Sequence, residues 1–279
     1  MSASLAAETP TLRVVATEFV RPMRGASQPF LMRCDDGHLY VVKFRNNPQH
    51  VRVLANEWLA GRLARRIGLS VPDGALVSVG PELLAANNAL RFQLGERSAP
   101  CAAGIHFGSR FPQASEYSLV VDFLPDRLLR GVRNLAEIFL GAFALDKWTC
   151  NCDGRQLVFH RGSNQEASTY AAFLIDHGFC FNDGEWNFPD SPVRSLYPRR
   201  LVYEGVRGLR SFEPYLPRIE NLTPGDLENC VREIPPEWCG QETGSLMRLI
   251  ERLYERRRRL RQLIIDAKNS SLRPFPNWE

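Results

Sequence analysis

The sequence lacks any apolar run that approaches the roughly 20 residues of a membrane-spanning helix. Its first ten residues do not follow the charged-then-apolar order of a secretion signal. The seven cysteines are an odd number without a paired C-x-x-C framework, and Cys150-x-Cys152 alone is only weak evidence for zinc. These absences argue against a membrane protein and a disulfide scaffold, and we expect a cytoplasmic protein with reduced cysteines.

The chain also lacks an internal repeat, a low-complexity linker, a Walker sequence and the pattern G-x-G-x-x-G. Its 279 residues, 44% hydrophobic and 24% charged, are typical of a globular protein with one large domain or two lobes. The formal net charge of +4 is small for this length. It mildly favours an acidic partner or a nucleotide and does not indicate nucleic acid.

Strand patterns dominate the first part of the chain. Residues 12–20 are β-branched and partly alternating, and Asp35-Asp36-Gly37 predicts a hairpin between two strands. Residues 95–117 are predicted to form a long loop, in which Gly104–Gly108 either closes over a substrate or merely connects two elements. The remaining strand predictions are residues 30–34, 38–44, 76–79, 90–93 and 117–123.

Helical patterns dominate after Pro125, although one helix is already predicted at residues 51–67 by its apolar spacing. Thr223-Pro224 predicts a helix start. Residues 245–268 are predicted to form one last helix, with Arg256–Arg259 on its solvated face. Other predicted elements are a helix at residues 134–149 and a short hairpin at residues 157–160 and 170–175. We predict an α+β fold of two lobes, with a strand-rich lobe of residues 1–123, a helical lobe of residues 124–279 and a cleft between them.

Lys43 ends the strand-like run Tyr40–Phe44, and an inward-pointing ammonium would need an anionic partner. Glu57, in the predicted helix that follows, is the candidate; otherwise Lys43 is an ordinary surface lysine. The preceding turn is either a simple hairpin turn or a loop whose N–H groups face phosphate oxygens. It consists of Gly25, Ala26, Ser27 and Gln28, followed by Pro29. Together these features predict a grip for the triphosphate of ATP.

Two aspartates in the second half complete the pattern. Asp176 follows the apolar pair Leu174-Ile175 at a predicted strand end, and Asp153 lies in a polar loop after Asn151-Cys152. Carboxylates in such places can take the proton of a hydroxyl acceptor and hold magnesium. Each aspartate also has a purely structural alternative as a capping or turn residue. The combination favours a phosphotransferase.

Taken in order, these segments resemble the HipA-like kinases, a bacterial serine/threonine kinase group whose fold is related to that of protein kinases. The resemblance covers residues 12–268 and includes Asn56–Ala60 and Ile67–Pro72. It implies ATP and Mg²⁺ as cofactors and a serine or threonine of a protein, possibly the chain itself, as the acceptor. By the same resemblance Lys43 binds the α- and β-phosphates, Glu57 orients Lys43, Asp153 is the catalytic base and Asp176 binds magnesium. The segment Leu119–Phe123, which contains Val121 and Phe123, would be the hinge that meets adenine.

The chain departs from the family pattern N-x-D-R-H-x-x-N, because Asn151 to Val158 read N-C-D-G-R-Q-L-V. Val158 stands at the place of the second magnesium ligand and cannot coordinate a metal. Either Asn151 or Gln156 supplies an oxygen instead, or the second metal is absent. Asp146 is an alternative base, because Asp146-x-x-x-x-Asn151 repeats the D-x-x-x-x-N spacing of protein kinases, although the resemblance favours Asp153. A nucleotide-binding pseudokinase that regulates a partner and an AMP-transferring enzyme therefore remain alternative functions.

Overall fold

The computed structural model describes residues 11–112, 118–162, 169–240, 242 and 244–279. Its strands are β1 (Leu12–Pro22), β2 (Phe30–Cys34), β3 (Leu39–Lys43), β4 (Gly74–Val79), β5 (Arg91–Leu94), β6 (Arg97–Pro100), β7 (Gly104–Arg110), β8 (Leu119–Val121), β9 (Gln156–Arg161) and β10 (Ala171–Ile175). Its helices are α1 (Arg52–Arg66), α2 (Pro81–Ala86), α3 (Asp126–Leu129), α4 (Leu135–Thr149), α5 (Tyr215–Glu220), α6 (Pro224–Val231), α7 (Ser245–Arg256) and α8 (Leu260–Lys268). None of the helices in these ranges is long and apolar enough to cross a membrane.

Five strands form a closed barrel in the order β1-β2-β3-β7-β4, which closes because β4 pairs in parallel with β1. Side chains alternate along each strand. Tyr40, Val42 and Phe44 therefore pack into the apolar interior of the barrel, while Val41 and Lys43 point away from it. This alternation directs Lys43 towards α1, which follows β3 along the chain.

Residues after the barrel form a second sheet and a set of helices. The sheet has the order β10-β9-β8, with Ile175 of β10 opposite Gln156 of β9. Helix α4 is buried from Ile138 to Thr149 and contacts α1, α5, α7 and α8. The sheet and α4 together position the polar segments that the sequence singles out at Asn151–Asp153 and Asp176.

One apolar core joins the barrel to the helices. It contains Leu76 and Phe107 from the barrel, Leu54 and Leu59 from α1, and buried side chains of α4 and α8. The α+β class predicted from the sequence is confirmed. The division into two lobes at residue 123 stays a prediction, because one apolar core contains residues from both sides of that boundary.

The structure corrects the prediction of a long loop at residues 95–117. Its described part contains β6 and β7, and β7 pairs with both β3 and β4 in the barrel, so Gly104–Gly108 cannot close over a substrate. Gly108 is a packing glycine, because a Cβ there would lie 2.4 Å from Val77 Cγ2. Residues 113–117, which include the predicted start of the next strand, lie outside the described residues.

The one helix predicted at residues 245–268 is divided into two helices in the structure. A short 3₁₀ turn at Arg257–Arg259 separates α7 from α8. Arg256 and Arg257 are buried, and the prediction of a solvated arginine run is correct only for Arg258 and Arg259. The reason is local: Arg256 donates to the carbonyl oxygens of Lys147 and Trp148 at the end of α4.

Candidate active site

Lys43 brings two carboxylates from distant parts of the chain together. Its Nζ donates to Glu57 Oε1 at 2.5 Å and to Asp176 Oδ1 at 2.7 Å. Glu57 lies on α1 and Asp176 follows β10, so three elements meet at one ammonium group. The backbone N–H of His177 donates to Glu57 Oε2 at 3.0 Å, and both oxygens of Glu57 are therefore engaged.

The electrostatics keep Lys43 charged. Burial alone would lower the pKa of Lys43, but the carboxylates of Glu57 and Asp176 outweigh it and raise the pKa above its ordinary value. Burial would likewise raise the pKa of Asp176, yet the nearby ammonium lowers it. Asp176 is thus an ionised carboxylate at neutral pH, the state in which it can hold a metal or a cation.

Asp176 also has an unusual backbone. Its φ of 55° lies in the left-handed region, which costs energy for any residue other than glycine. Such strain persists where the surroundings fix the conformation, and here the neighbouring His177 N–H is held by Glu57. The strained turn directs the Asp176 carboxylate back towards Lys43.

Asp146 forms a buried ion pair and does not face the cleft. Arg155 donates to both of its carboxylate oxygens, and the amide of Asn151 donates to Oδ1 at 3.1 Å. The same arginine donates to Ile175 O at 3.1 Å and His177 Nδ1 at 3.2 Å. Burial and the adjacent guanidinium of Arg155 lower the pKa of His177 well below its ordinary value. This network ties the end of α4 to the strand that carries Asp176.

Asp153 lies on an exposed turn. Its own N–H donates to Asn151 Oδ1 at 3.2 Å, and its Oδ1 accepts from Gly154 N–H at 2.7 Å. Asn151 Oδ1 therefore points into this turn and does not reach the cleft, which argues against Asn151 as a metal ligand. Asp153 itself retains an accessible carboxylate next to solvent.

A cleft of about 560 Å³ runs from the Lys43 cluster along α1. Asp176, Gln156 and Val158 line it, whereas Asp153 and Asn151 do not. Val158 is paired with Phe173 inside the β9–β10 ladder, which ends at the pair of Ile175 and Gln156. A valine cannot supply an oxygen and Asn151 does not line the cleft, so Gln156 is the remaining candidate for a second metal ligand.

Neither the predicted phosphate loop nor the predicted hinge lines this cleft. Gly25, Ala26, Ser27 and Gln28 form a turn closed by Gln28 N–H to Gly25 O at 3.0 Å, and their neighbours Met23, Arg24 and Pro29 line the cleft instead. Val121 and Phe123 are not among the lining residues, and Phe123 is 62% exposed. Strand β8 pairs with β9, so this segment belongs to the second sheet.

The cleft is lined instead by Phe111 and Pro112, which directly follow the barrel strand β7. The sequence does not identify these two residues, because its pattern predicts a loop for residues 95–117. Val41 lies two residues before Lys43 on the same strand. Because side chains alternate along a strand, Val41 and Lys43 share one face, and this pattern would have identified Val41 as a cleft residue. Arg155 gave no comparable signal, since its pairing with Asp146 depends on how β9 follows α4.

Comparison with known proteins supports one family. Residues 16–263 match the family model described as HipA-like kinase. The fold is similar to that of the Helicobacter pylori proinflammatory kinase CtkA, with a TM-score of 0.59 and 16% identity over 94% of this chain and 100% of that one. No curated protein matches the chain.

Weaker likenesses are to the Golgi casein kinase, with a TM-score of 0.49 and 12% identity over 95% of this chain and 73% of that one. The structure of that kinase with Mn and ADP bound gives a TM-score of 0.47 and 13% identity over 95% of this chain and 74% of that one. The likeness to CtkA shows the kinase fold, and the family model covers most of the chain. The chain therefore belongs to the HipA-like kinase family.

Proposed function

We propose that the protein is an ATP- and Mg²⁺-dependent kinase that phosphorylates a serine or threonine of a protein, with its own chain as one possible acceptor. The observation that carries the proposal is the position of Lys43 between Glu57, at 2.5 Å, and Asp176, at 2.7 Å, on the wall of the cleft. A lysine on a barrel strand, fixed by a helix carboxylate, is the arrangement that holds nucleotide phosphates. Membership of the HipA-like kinase family supports the same reading.

The barrel side would bind the nucleotide. Lys43 donates to phosphate oxygens, and Glu57 fixes the ammonium in place. Val41 and Val158 offer apolar walls for the base, beside Phe111. In this proposal residues 1–123 and residues 124–279 act as two lobes, and the second supplies Asp153 and Asp176.

A magnesium site fits the residues present. Mg²⁺ is commonly held by one or two carboxylates together with substrate phosphates and water. Asp176, which is ionised and lines the cleft, and Gln156 would hold it. When bound, the ion neutralises charge on the phosphate oxygens.

Asp153 is proposed as the base. Its carboxylate would accept the hydroxyl proton of the acceptor while the acceptor oxygen bonds to the γ-phosphorus and the bond from that phosphorus to ADP breaks. The exposed turn at Asp153 can meet a protein substrate. Asp146 is unsuited to this role, because Arg155 occupies both of its oxygens in a buried site.

A second candidate function is a nucleotide-binding regulator without transferase activity. Val158 favours it, because a valine stands at the place of the second magnesium ligand and cannot coordinate a metal. Such a protein would bind ATP and change its contacts with a partner. Binding without transfer separates this candidate from the kinase.

Intact-mass measurement after incubation with Mg-ATP and a serine/threonine peptide library tests the proposal. Addition of a phosphoryl group to chain or peptide supports the kinase, and addition of AMP supports nucleotidyl transfer instead. A thermal shift with ATP but no added mass supports the regulator. Asp153→Asn should lower phosphoryl transfer by about 100-fold or more while the thermal shift with ATP persists.

Glu251→Gln is the matched control, because Glu251 is an exposed carboxylate on α7 that does not line the cleft. It should transfer phosphate at the wild-type rate. Full transfer by Asp153→Asn would show that Asp153 is not the base.

A further inference from the structure

Residues 189–195 are fixed against the end of α4. The ammonium of the buried Lys147 donates to three carbonyl oxygens of this segment at 2.6 to 3.3 Å, those of Ser191, Pro192 and Arg194. The thiol of Cys150 donates to Pro189 O at 3.5 Å. Hydrogen bonds from a charged donor are stronger than neutral ones. The backbone of this segment therefore has one defined path past the end of the helix.

Ser195 connects the segment to the turn that carries Asp153. Its Oγ donates to Asn151 O, and Oδ1 of the same asparagine accepts the Asp153 N–H at 3.2 Å. The φ of Ser195 is 64°, in the left-handed region, and such a conformation persists only where its surroundings fix it. Arg194, the residue before Ser195, is thereby placed beside the turn of the proposed base.

The guanidinium of Arg194 is held on the same side as its backbone. Its Nη1 donates to Asn182 Oδ1 at 3.1 Å, and the N–H of Asn182 donates to Cys150 O at 3.1 Å. Burial and the carboxylate of Asp183 raise the pKa of the Cys152 thiol, whereas the charge of Arg194 lowers it. The positive charge therefore acts on the residue that directly precedes the proposed base.

This positive charge is not neutralised by a neighbour. Arg194 is exposed and forms no ion pair with any carboxylate that the structure describes. Arg199, five residues later, pairs with Asp126, and Arg200 donates to a backbone carbonyl oxygen at 2.7 Å. A guanidinium carries five N–H donors in a planar fork that matches a carboxylate. Arg194 thus keeps both charge and donors for an acidic group from outside the chain.

We propose that Arg194 selects the acceptor by binding an aspartate or glutamate close in sequence to the serine or threonine that is phosphorylated. This inference rests on the proposed function, in which Asp153 receives the proton of that hydroxyl. An extended peptide whose hydroxyl reaches Asp153 passes along residues 192–195, because Ser195 and Asp153 contact the same asparagine. The preferred acceptor is therefore an acidic peptide.

Short alanine-rich peptides with one central serine are the probe. Each carries glutamate, glutamine or lysine at one position, from three residues before the serine to three residues after it. Glutamate at the favoured position should raise kcat/KM about 5-fold over glutamine, and lysine should lower it, as expected for a charge pair at a solvent-exposed site. The effect should lie in KM, because Arg194 binds the peptide and does not touch the reacting atoms.

Reversal of the charge at Arg194 tests the assignment. Arg194→Glu should lower kcat/KM for the glutamate peptide about 10-fold or more and raise it for the lysine peptide, because the like charge now repels one and attracts the other. Arg194→Ala should make the glutamate and glutamine peptides equal, and Arg194→Lys should restore part of the preference. Circular dichroism and the Tm of each variant confirm folding.

Arg258→Glu is the matched control, because Arg258 is an exposed arginine on the turn between α7 and α8 and does not line the cleft. It makes the same change in net charge and should keep the glutamate preference. A preference that survives Arg194→Glu overturns the proposal, as does equal kcat/KM for the three kinds of peptide at every position in the wild type.

If the protein phosphorylates no peptide at all, the proposed function fails, and binding then decides the inference. Fluorescence anisotropy of labelled glutamate and lysine peptides measures their affinities without any transfer. Tighter binding of a glutamate peptide that is lost in Arg194→Glu and kept in Arg258→Glu supports an acid-selective surface at Arg194. Equal binding of the two kinds of peptide, or binding that both variants leave unchanged, overturns it.

Discussion

Lys43 is the residue through which the barrel and the acidic segments meet, because its ammonium contacts Glu57 and Asp176 at once. Lys43→Met should lower the affinity for Mg-ATP about 10-fold or more, since a charged donor to phosphate is lost. It should also lower the free energy of unfolding by up to about 3 kcal/mol, because Glu57 stays buried without its cation. Calorimetric titration with ATP and urea unfolding measure the two effects.

The half-buried Lys268 at the end of α8 provides the control for Lys43. Lys268→Met makes the same chemical change far from the cleft and should alter the free energy of unfolding by less than about 0.5 kcal/mol. Unchanged ATP affinity in Lys43→Met would mean that the proposed phosphate grip is wrong.

His106 makes stability depend on pH. It lies in β7, fully buried, and burial lowers the pKa of His106 to about 3. The unfolded chain takes up this proton near pH 6.5 while the folded chain does not, so stability falls by about 1.4 kcal/mol per pH unit from about 6.5 down to about 3. Only below that range does the folded state bind the proton as well.

Urea unfolding at pH 7, 6 and 5 checks this expectation against His106→Asn. The asparagine can still accept the Arg45 N–H that now donates to His106 Nδ1 at 3.1 Å, but it does not titrate. The variant should therefore lose about 1.4 kcal/mol less than the wild type between pH 6 and 5. Equal slopes would show that His106 is accessible to protons in the folded state.

At the residue scale, the sequence predicted those site residues whose chemistry needs a partner nearby. An apolar strand that ends in Lys43, followed by a helix with Glu57, indicates an ion pair, and the structure has it. Arg155 could not be predicted in the same way. Its contacts with Asp146 and Ile175 arise from the path of the chain between α4 and β9, which no local pattern specifies.

The junction between α7 and α8 is held by its first arginine. Arg256 donates to Trp148 O at 2.8 Å and to Lys147 O at 3.0 Å, and it pairs with Asp190. The two buried carbonyl oxygens at the end of α4 would lose this donor in Arg256→Ala, whereas the exposed Asp190 would keep its pair with Arg259 at 2.8 Å. We expect a loss of about 3 kcal/mol in the free energy of unfolding by urea.

Arg258, two residues further along the same turn, is exposed and serves as the comparison. Arg258→Ala should change the free energy of unfolding by less than about 0.5 kcal/mol. Similar losses in the two variants would mean that the buried contacts of Arg256 contribute nothing of their own.

At the element scale, periodicity predicted the elements that bury one face. Helix α1 lies within a residue of its predicted bounds, and the hairpin of β2 and β3 lies around the predicted Asp35-Asp36-Gly37 turn. Strand β7 was missed because Gly104 and Gly108 suggested a loop. Within the barrel, Gly108 is required by the approach of Val77 and Tyr40, a constraint that only the assembled sheet reveals.

At the scale of the whole molecule, α1 couples the barrel to the helices. Its buried residues, which include Leu54, Leu59 and Leu63, belong to a core that also contains Leu76 and Phe107 of the barrel and Phe143 of α4. The site is built from the same parts of the molecule: Lys43 comes from the barrel, Glu57 from α1 and Asp176 from the turn after β10 of the second sheet. A loss of packing around α1 would therefore disturb the core and the site together.

Because this core is continuous, we expect the barrel and the helices to unfold in one cooperative transition. Hydrogen exchange under increasing urea should give the same opening free energy for amides of β3 and of α4 at the global limit. Leu59 is 1% exposed within α1, and Leu59→Ala should lower both values by the same amount, about 3 kcal/mol. If only the β3 amides or only the α4 amides lose protection, the two regions are independent folding units, and a division near residue 123 describes the molecule better than a shared core does.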